Sequence, residues 1–237
     1  MKVRIFQIDD DKDERLVRFM NYEHTAKRGG VDPTAYCQVY GGTVSAESLE
    51  NIFMLCNSDR FPPGYFGHSL SVSDVIEVCE GKDKGFYFCD SIGFKKLDSF
   101  DIDKTDHAEM MRILVLEKDM PPYEAEIVHN FRAMQSVVGG NIEPVYFEPN
   151  NDALCWCNEE FLFNGSLPNR IIGDVLIYGT CFISGDGVTD EGERDSCSLT
   201  DDQIQKYTKM FPHSVVLLAE NDSEDMTESE DIDQTLS

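Results

Sequence analysis

Alternating polar and apolar residues open the chain and predict a half-buried first strand at Lys2–Ile8. An acidic run follows from Asp9, and we expect a helix to begin near Glu14, because acids favour the first turn of a helix. Ser45 is a suitable N-cap for a second helix, since apolar residues from position 49 to position 56 share one helical face. The other strands predicted in this half are residues 36–40, which Gly41 and Gly42 end, residues 74–79 and residues 86–89.

A second series of elements follows a polar segment, residues 98–109, whose lack of periodicity predicts a linker. The apolar run 111–116 predicts a buried strand, and the helical spacing of apolar residues in 126–138 predicts a helix that Gly139 and Gly140 stop. Thr200 with Gln203 predicts a capping box that opens a helix to about Phe211. Strands are further predicted at residues 142–147, 154–157, 174–184 and 215–218, with an acidic loop at residues 185–197.

Together these elements predict an α+β fold of two small mixed domains, each a mostly antiparallel sheet with one or two packed helices. The predicted boundaries are residues 1–100 for the first domain, 101–110 for the linker and 111–219 for the second domain. Residues 220–237 carry eight acids, no base and few core-forming side chains. Such a composition predicts a disordered acidic tail.

Charge restricts the partners that we expect. The chain has 45 Asp and Glu against 20 Lys and Arg, a net charge of −25, and residues 105–219 alone account for −12. Such a surface repels phosphate, so neither nucleic acid nor an anionic membrane is expected as a direct partner. No apolar run reaches the roughly 18 residues of a membrane helix, and no secretory leader is recognised. We therefore expect a cytoplasmic location.

The eight cysteines fit a reducing compartment, where scattered thiols stay free and pack as small apolar groups. Cys155 and Cys157 are expected on one face of a strand, but no Cys-x-x-Cys or His pair completes a zinc site. Cys89 is expected to be a buried strand residue, because a reactive thiolate needs a nearby cation and Asp90 opposes it. Residues 9–13 and 185–192 lack the register of a calcium loop. No metal or cofactor is expected.

Several sequence blocks resemble known families. Residues 4–8, 39–42, 49–53, 67–75 and 87–94 occur in the order found in the YodL-like domain, and this resemblance covers about residues 1–100. Residues 112–116, 179–184 and 198–203, with Tyr207, resemble a domain of unknown function, over about residues 110–212. Both families occur in mobile genetic elements of Gram-positive bacteria. The resemblance therefore implies an accessory protein of such an element, one that counters host defence, and it brings no established activity or catalytic residues.

One candidate site is the polar cluster of His68, Ser69 and Asp74, which also contains Ser71 and Ser73. Residues of these types form the triads of hydrolases, so a small hydrolase is one interpretation. No Gly-x-Ser-x-Gly elbow is present, however, and residues so close in sequence rarely converge as a triad. The other interpretation, which we favour, is a polar turn whose side chains bond to local backbone.

A second candidate is a partner-binding surface made of acids of the second domain that crowd into seventeen positions: Asp186, Asp190, Glu191, Glu193, Asp195, Asp201 and Asp202. Their charge predicts a non-enzymatic protein that binds a basic or nucleic-acid-binding protein. One form of this hypothesis is an anti-defence inhibitor that mimics nucleic acid with carboxylates on a rigid surface. A plain scaffold or interaction module is the remaining alternative. No catalytic residue is assigned.

Overall fold

The computed structural model describes residues 1–59, 61–149, 152–188, 192 and 194–215. These residues form two antiparallel sheets, a two-stranded ribbon and four α-helices, which confirms the predicted α+β class. None of the helices in these ranges is long and apolar enough to cross a membrane. The predicted acidic tail, residues 220–237, and most of the predicted strand at 215–218 lie outside the described residues.

The first sheet has the strand order β2-β1-β3-β4-β5, with every neighbouring pair antiparallel. Its strands are β1 (Lys2–Ile8), β2 (Tyr36–Thr43), β3 (Val75–Val78), β4 (Gly85–Cys89) and β5 (Phe94–Leu97). Two helices accompany it, α1 (Tyr22–Lys27) and α2 (Leu49–Leu55). Alternation along β1 sends Val3 and Ile5 into the core beneath α2, and Phe6 and Ile8 into a second core on the opposite face.

Three local predictions in this half are wrong. The acids after β1 form only a single 3-10 turn, and the first helix begins at Tyr22, where Asn21 accepts a hydrogen bond from the His24 backbone. The cap of α2 is Ser48 rather than Ser45, because Ser48 Oγ accepts from the Asn51 N–H at 3.2 Å. Gly41 and Gly42 continue β2 instead of ending it, since both pair with β1.

The second sheet has the order β7-β6-β12-β9-β8, and β13 pairs with the far end of β12. Its strands are β6 (Met110–Leu116), β7 (Tyr123–Val128), β8 (Ile142–Tyr146), β9 (Ala153–Asn158), β12 (Cys181–Val188) and β13 (Arg194–Cys197). One face packs on helix α3 (Phe131–Val138). The other face packs on helix α4 (Asp201–Met210) and on the ribbon of β10 (Pro168–Ile172) and β11 (Val175–Tyr178).

The helix-capping signals predicted in this half are confirmed, but the predicted bounds of three elements are wrong. Gly139 ends α3 in the left-handed conformation, and the Thr200–Gln203 capping box opens α4. Residues 126–128, however, belong to β7, because they pair with the start of β6. The predicted strand 174–184 is two strands separated at Gly179, and much of the predicted acidic loop 185–197 is the β12–β13 hairpin.

A buried arginine ties the ribbon to the rest of the second half. Arg170 is 1% exposed, and its guanidinium donates to the backbone carbonyls of Glu117, Met120 and Phe211. It also donates to Ser214 Oγ. One cation thus joins β10, the turn after β6 and the end of α4. Its acceptors here are neutral carbonyl and hydroxyl oxygens rather than a carboxylate.

The two sheets meet where β2 lies against β7, and glycines allow the close approach. A Cβ at Gly42 would lie 2.6 Å from the Glu126 carbonyl oxygen, and a Cβ at Gly64 would lie 2.5 Å from Ile127 Cγ2. An ion pair between Lys2 and Glu126, at 2.5 Å, bridges the same junction. The predicted linker also packs here, because the Asp106 backbone exchanges hydrogen bonds with β2. The junction is therefore a packed interface rather than a loose tether.

We expect Gly64→Ala to destabilise the chain more than Gly81→Ala. Both glycines have nearly the same positive φ, +85° and +84°, so each alanine carries a similar backbone strain of about 1–2 kcal/mol. Only the Cβ at position 64 meets the other sheet, since nothing lies within 4 Å of a Cβ at position 81. The overlap should add about 1–3 kcal/mol, measured as the difference in free energy of unfolding in urea. Equal losses in the two variants would contradict a tight junction.

Candidate partner-binding groove

The structure describes four of the seven acids predicted to form a partner-binding surface, and it places them in two groups. Asp186 and Asp195 come together on the β12–β13 hairpin, whereas Asp201 and Asp202 lie in the first turn of α4. Acids in that turn stabilise the helix through its dipole, which is a structural role for the second group. Asp190, Glu191 and Glu193 lie outside the described residues.

Three of these four acids face basic side chains of the chain itself. The carboxylate of Asp201 lies 2.5 Å from Arg112, which also holds Glu124 at 2.6 Å. Asp195 lies 3.5 Å from His129 Nε2, and Asp186 lies 3.1 Å from Arg194. Only part of the charge counted from the sequence is therefore free to meet a partner.

A groove with a volume of about 180 Å³ lies beside α3, on the face of the second sheet that α3 covers. The helix contributes Phe131 and Met134 to its lining, and Asp186 and Asp195 line it as well. Strands β8, β9 and β13 supply the remaining lining residues, namely Ile142, Pro144, Tyr146, Leu154, Trp156, Arg194 and Ser196. Phe131 is 61% exposed and Tyr146 54%, so the groove presents aromatic surface that the fold leaves unburied.

Strand alternation aims Trp156 into this groove. The predicted pair Cys155 and Cys157 is buried on the α4 face, so Trp156 between them must point to the α3 face. Its ring is held by a hydrogen bond of 3.0 Å from Nε1 to Ser184 Oγ. Pro144 pairs directly with Trp156 across β8 and β9 and lies beside it on the same face.

Asp186 is the most unusual polar group of the groove. Its side chain is only 4% exposed, and Oδ2 meets Arg194 Nη2 at 3.1 Å. Its other oxygen, Oδ1, is buried and has no hydrogen-bond partner among the described residues. The Arg194 guanidinium lies 5.7 Å from the centre of the Tyr146 ring. A carboxylate beside an aromatic face is the arrangement that binds a cationic side chain.

Sequence reasoning identified the two acids of the groove and missed its aromatic residues. Trp156 had an available signal, because two buried cysteines flank it in a strand and this places it on the opposite face. Phe131 and Tyr146 had no comparable signal, since their exposure depends on where α3 lies over the sheet.

The His68 cluster forms a partly buried polar turn, in which Ser69 is exposed and His68 is half-buried. Asp74 is fully buried, and its Oδ2 accepts from the Ser71 N–H at 2.8 Å and from Gln7 Nε2 at 3.0 Å. The hydroxyl of Ser73 accepts from the Phe19 N–H, while that of Ser71 donates to the Ser69 carbonyl. These two hydroxyls therefore bond to backbone instead of facing His68 as a nucleophile would.

One pair of polar atoms inside this turn lacks hydrogen bonds among the described residues. His68 Nε2 and Asp74 Oδ1 face each other at 3.9 Å, and both atoms are buried without a hydrogen-bond partner among the described residues. Burial lowers the pKa of His68 and raises the pKa of Asp74 to about 8, in spite of the hydrogen bonds to Asp74. The structure thus favours a protonated Asp74 carboxyl below about pH 8, and it keeps the His68 imidazole neutral to a lower pH than an ordinary histidine.

Five of the eight thiols are buried and packed as apolar groups, whereas Cys197 is exposed. Burial raises the pKa of Cys89 well above its ordinary value, and Asp74 adds to the effect, so this thiol is held protonated. The pKa of Cys157 is raised to about 12 for the same reason. Within the described ranges, no three His, Cys, Asp or Glu side chains converge as a metal site would require.

Comparison with known families supports the resemblances seen in the sequence. Residues 2–100 match the family model of the YodL-like domain, and residues 111–212 match that of a domain of unknown function, DUF3846. This confirms the two predicted families and their order. The chain matches no curated protein and no solved structure. The His68 turn lies in the YodL-like part, and the groove lies in the DUF3846 part.

We expect Asp74→Asn to remove a pH dependence of stability. Below about pH 4 the side chain is protonated in both the folded and the unfolded chain. Between about pH 4 and pH 8 only the folded chain keeps this proton, because its pKa is raised to about 8. The wild-type chain therefore loses stability relative to the variant as pH rises, by about 1.4 kcal/mol per pH unit at most.

Urea unfolding at several pH values from 5 to 8.5 measures this difference for the two chains. The control is Asp98→Asn, which makes the same side-chain change at an exposed aspartate. A constant difference between wild type and Asp74→Asn across this range would show that Asp74 ionises normally in the folded chain.

Proposed function

We propose that this chain, which joins a YodL-like domain to a DUF3846 domain, is a non-enzymatic protein that binds a basic partner protein through the groove beside α3. The observation that supports this proposal most is the meeting of Asp186 and Asp195 with Phe131, Tyr146 and Trp156 along one groove. Such a groove offers a basic segment both counter-charge and apolar contact. Aromatic side chains at the centre of an interface often contribute most of its binding energy.

Long-range charge supports the same partner class. Residues 105–219 have a net charge of −12, which attracts a basic protein before any contact forms and raises its association rate. Within the groove, the carboxylates then orient individual cationic side chains against the aromatic rings. Charge thus brings the partner to the surface, and the groove selects the segment that binds.

The family context narrows the partner further within this proposal. An accessory protein of a mobile genetic element acts in the cytoplasm of its host, where nucleic-acid-binding defence proteins present basic surfaces. Inhibition of such a protein is the anti-defence role that we propose. Mimicry of nucleic acid is a narrower form, which requires the exposed acids of α4 to act together with those of the groove.

The proposal can be tested with a synthetic peptide of alternating lysine, arginine and glycine as the probe. Trp156 is the only tryptophan of the chain, so its fluorescence reports directly on the groove. We expect the double variant Asp186→Asn with Asp195→Asn to bind the peptide about tenfold more weakly or worse. Affinity of the wild-type chain should fall steeply as salt rises from 50 to 300 mM.

The matched control is Asp201→Asn with Asp202→Asn, which removes the same charge from the other side of the sheet. A similar loss in both double variants would favour a diffuse acidic surface, as a nucleic-acid mimic needs, over the groove. Binding that neither double variant weakens would contradict the proposal and favour a scaffold that uses another surface. The same two double variants can be compared in a pull-down of a partner from host lysate at two salt concentrations.

A further inference from the structure

Arg194 occupies the position in the groove where a cation from a partner would bind. Its guanidinium contacts Asp186 Oδ2 at 3.1 Å and lies 5.7 Å from the centre of the Tyr146 ring. Resting on the proposed function, we propose that Arg194 is an internal ligand of the groove and that an arginine side chain of the partner displaces it. The groove is then a guanidinium site that the chain keeps filled until the partner arrives.

Burial of Asp186 explains why the site stays filled. The side chain is 4% exposed, and a buried carboxylate without a counter-charge is strongly unfavourable. Arg194 therefore leaves only when another cation takes its place. Arg194 itself is 52% exposed on β13, so it can turn into solvent without unpacking the core. Asp186 is thus fixed in place, whereas Arg194 is exchangeable.

An incoming guanidinium can bind Asp186 through more hydrogen bonds than Arg194 does. Arg194 meets only Oδ2, and Oδ1 of Asp186 is buried without a hydrogen-bond partner among the described residues. A guanidinium that approaches with two parallel N–H groups would satisfy both oxygens, which is the strongest form of this interaction. An incoming arginine thus gains a hydrogen bond that Arg194 does not make, and this gain favours the exchange.

The same features select arginine over lysine. The guanidinium is planar, donates through a fixed fork and stacks on aromatic faces, whereas an ammonium is a compact and strongly hydrated point charge. Tyr146 and Trp156 both line the groove that contains Asp186. A lysine would meet the charge of the site but not its two-oxygen geometry or its aromatic wall.

The test measures binding of two small probes, acetyl-arginine-amide and acetyl-lysine-amide, through the fluorescence of Trp156. We expect Arg194→Gln to bind the arginine probe about fivefold more tightly than the wild-type chain does, because the internal competitor is gone. The arginine probe should also bind Arg194→Gln about fivefold more tightly than the lysine probe does. Arg194→Lys should fall between the wild-type chain and Arg194→Gln in its affinity for the arginine probe.

Lys209→Gln is the matched control for net charge, since it removes one exposed cation from α4 on the other side of the sheet. It should change the affinity for either probe by less than about twofold. Thermal unfolding of each variant verifies that the folded chain is being compared.

Unchanged or weaker binding of the arginine probe by Arg194→Gln would overturn the internal-ligand proposal, and equal binding of the two probes would overturn its selectivity. Either result leaves the proposed function standing if the longer basic peptide still binds and still responds to the Asp186 and Asp195 variants. Failure of that peptide to bind at all would instead remove both proposals.

Discussion

The groove exists because a single short helix covers one face of a wide sheet. Helix α3 has eight residues, so it is about 12 Å long and, with side chains, about 10 Å wide. Strand β12 also has eight residues, but an extended chain of that length spans about 26 Å. A helix that lies across the strands therefore leaves a strip of the face uncovered. The apolar side chains in that strip, Leu154 and Trp156 among them, form the floor of the groove.

The length of β12 also determines which charged residues line the groove. Its first residues pair with β6 and its middle residues with β9, and its far end runs on to pair with β13. That far end carries Asp186, and the pairing with β13 brings Arg194 and Asp195 beside it. A Cβ at Gly185 would lie 2.6 Å from Cys197 Sγ, so glycine permits the hairpin to close at this point.

Several predictions that rest on local signals succeeded, although the Ser45 cap and the helix start near Glu14 did not, and those that depend on packing failed. The alternation of β1 and the capping box of α4 are properties of a few neighbouring residues, and the structure confirms both. Residues 126–128 fit the apolar spacing of a helix, yet pairing with β6 makes them a strand. Asp186 was identified from charge alone, but its burial depends on a hairpin that the sequence suggested was a loop. The exposure of Tyr146 depends on the path of α3, which no local pattern records.

The junction between the two sheets links the YodL-like part to the groove. Ile127 of β7 packs against Gly64 of the first half, and the strand ends one residue later. His129, which follows, contacts Asp195, and Phe131 then begins α3 and lines the groove. Only four positions therefore separate a contact with the first half from a wall of the groove. Because close glycine packing holds β7 at this interface, the first half helps to place the start of α3, and with it Phe131, beside the groove.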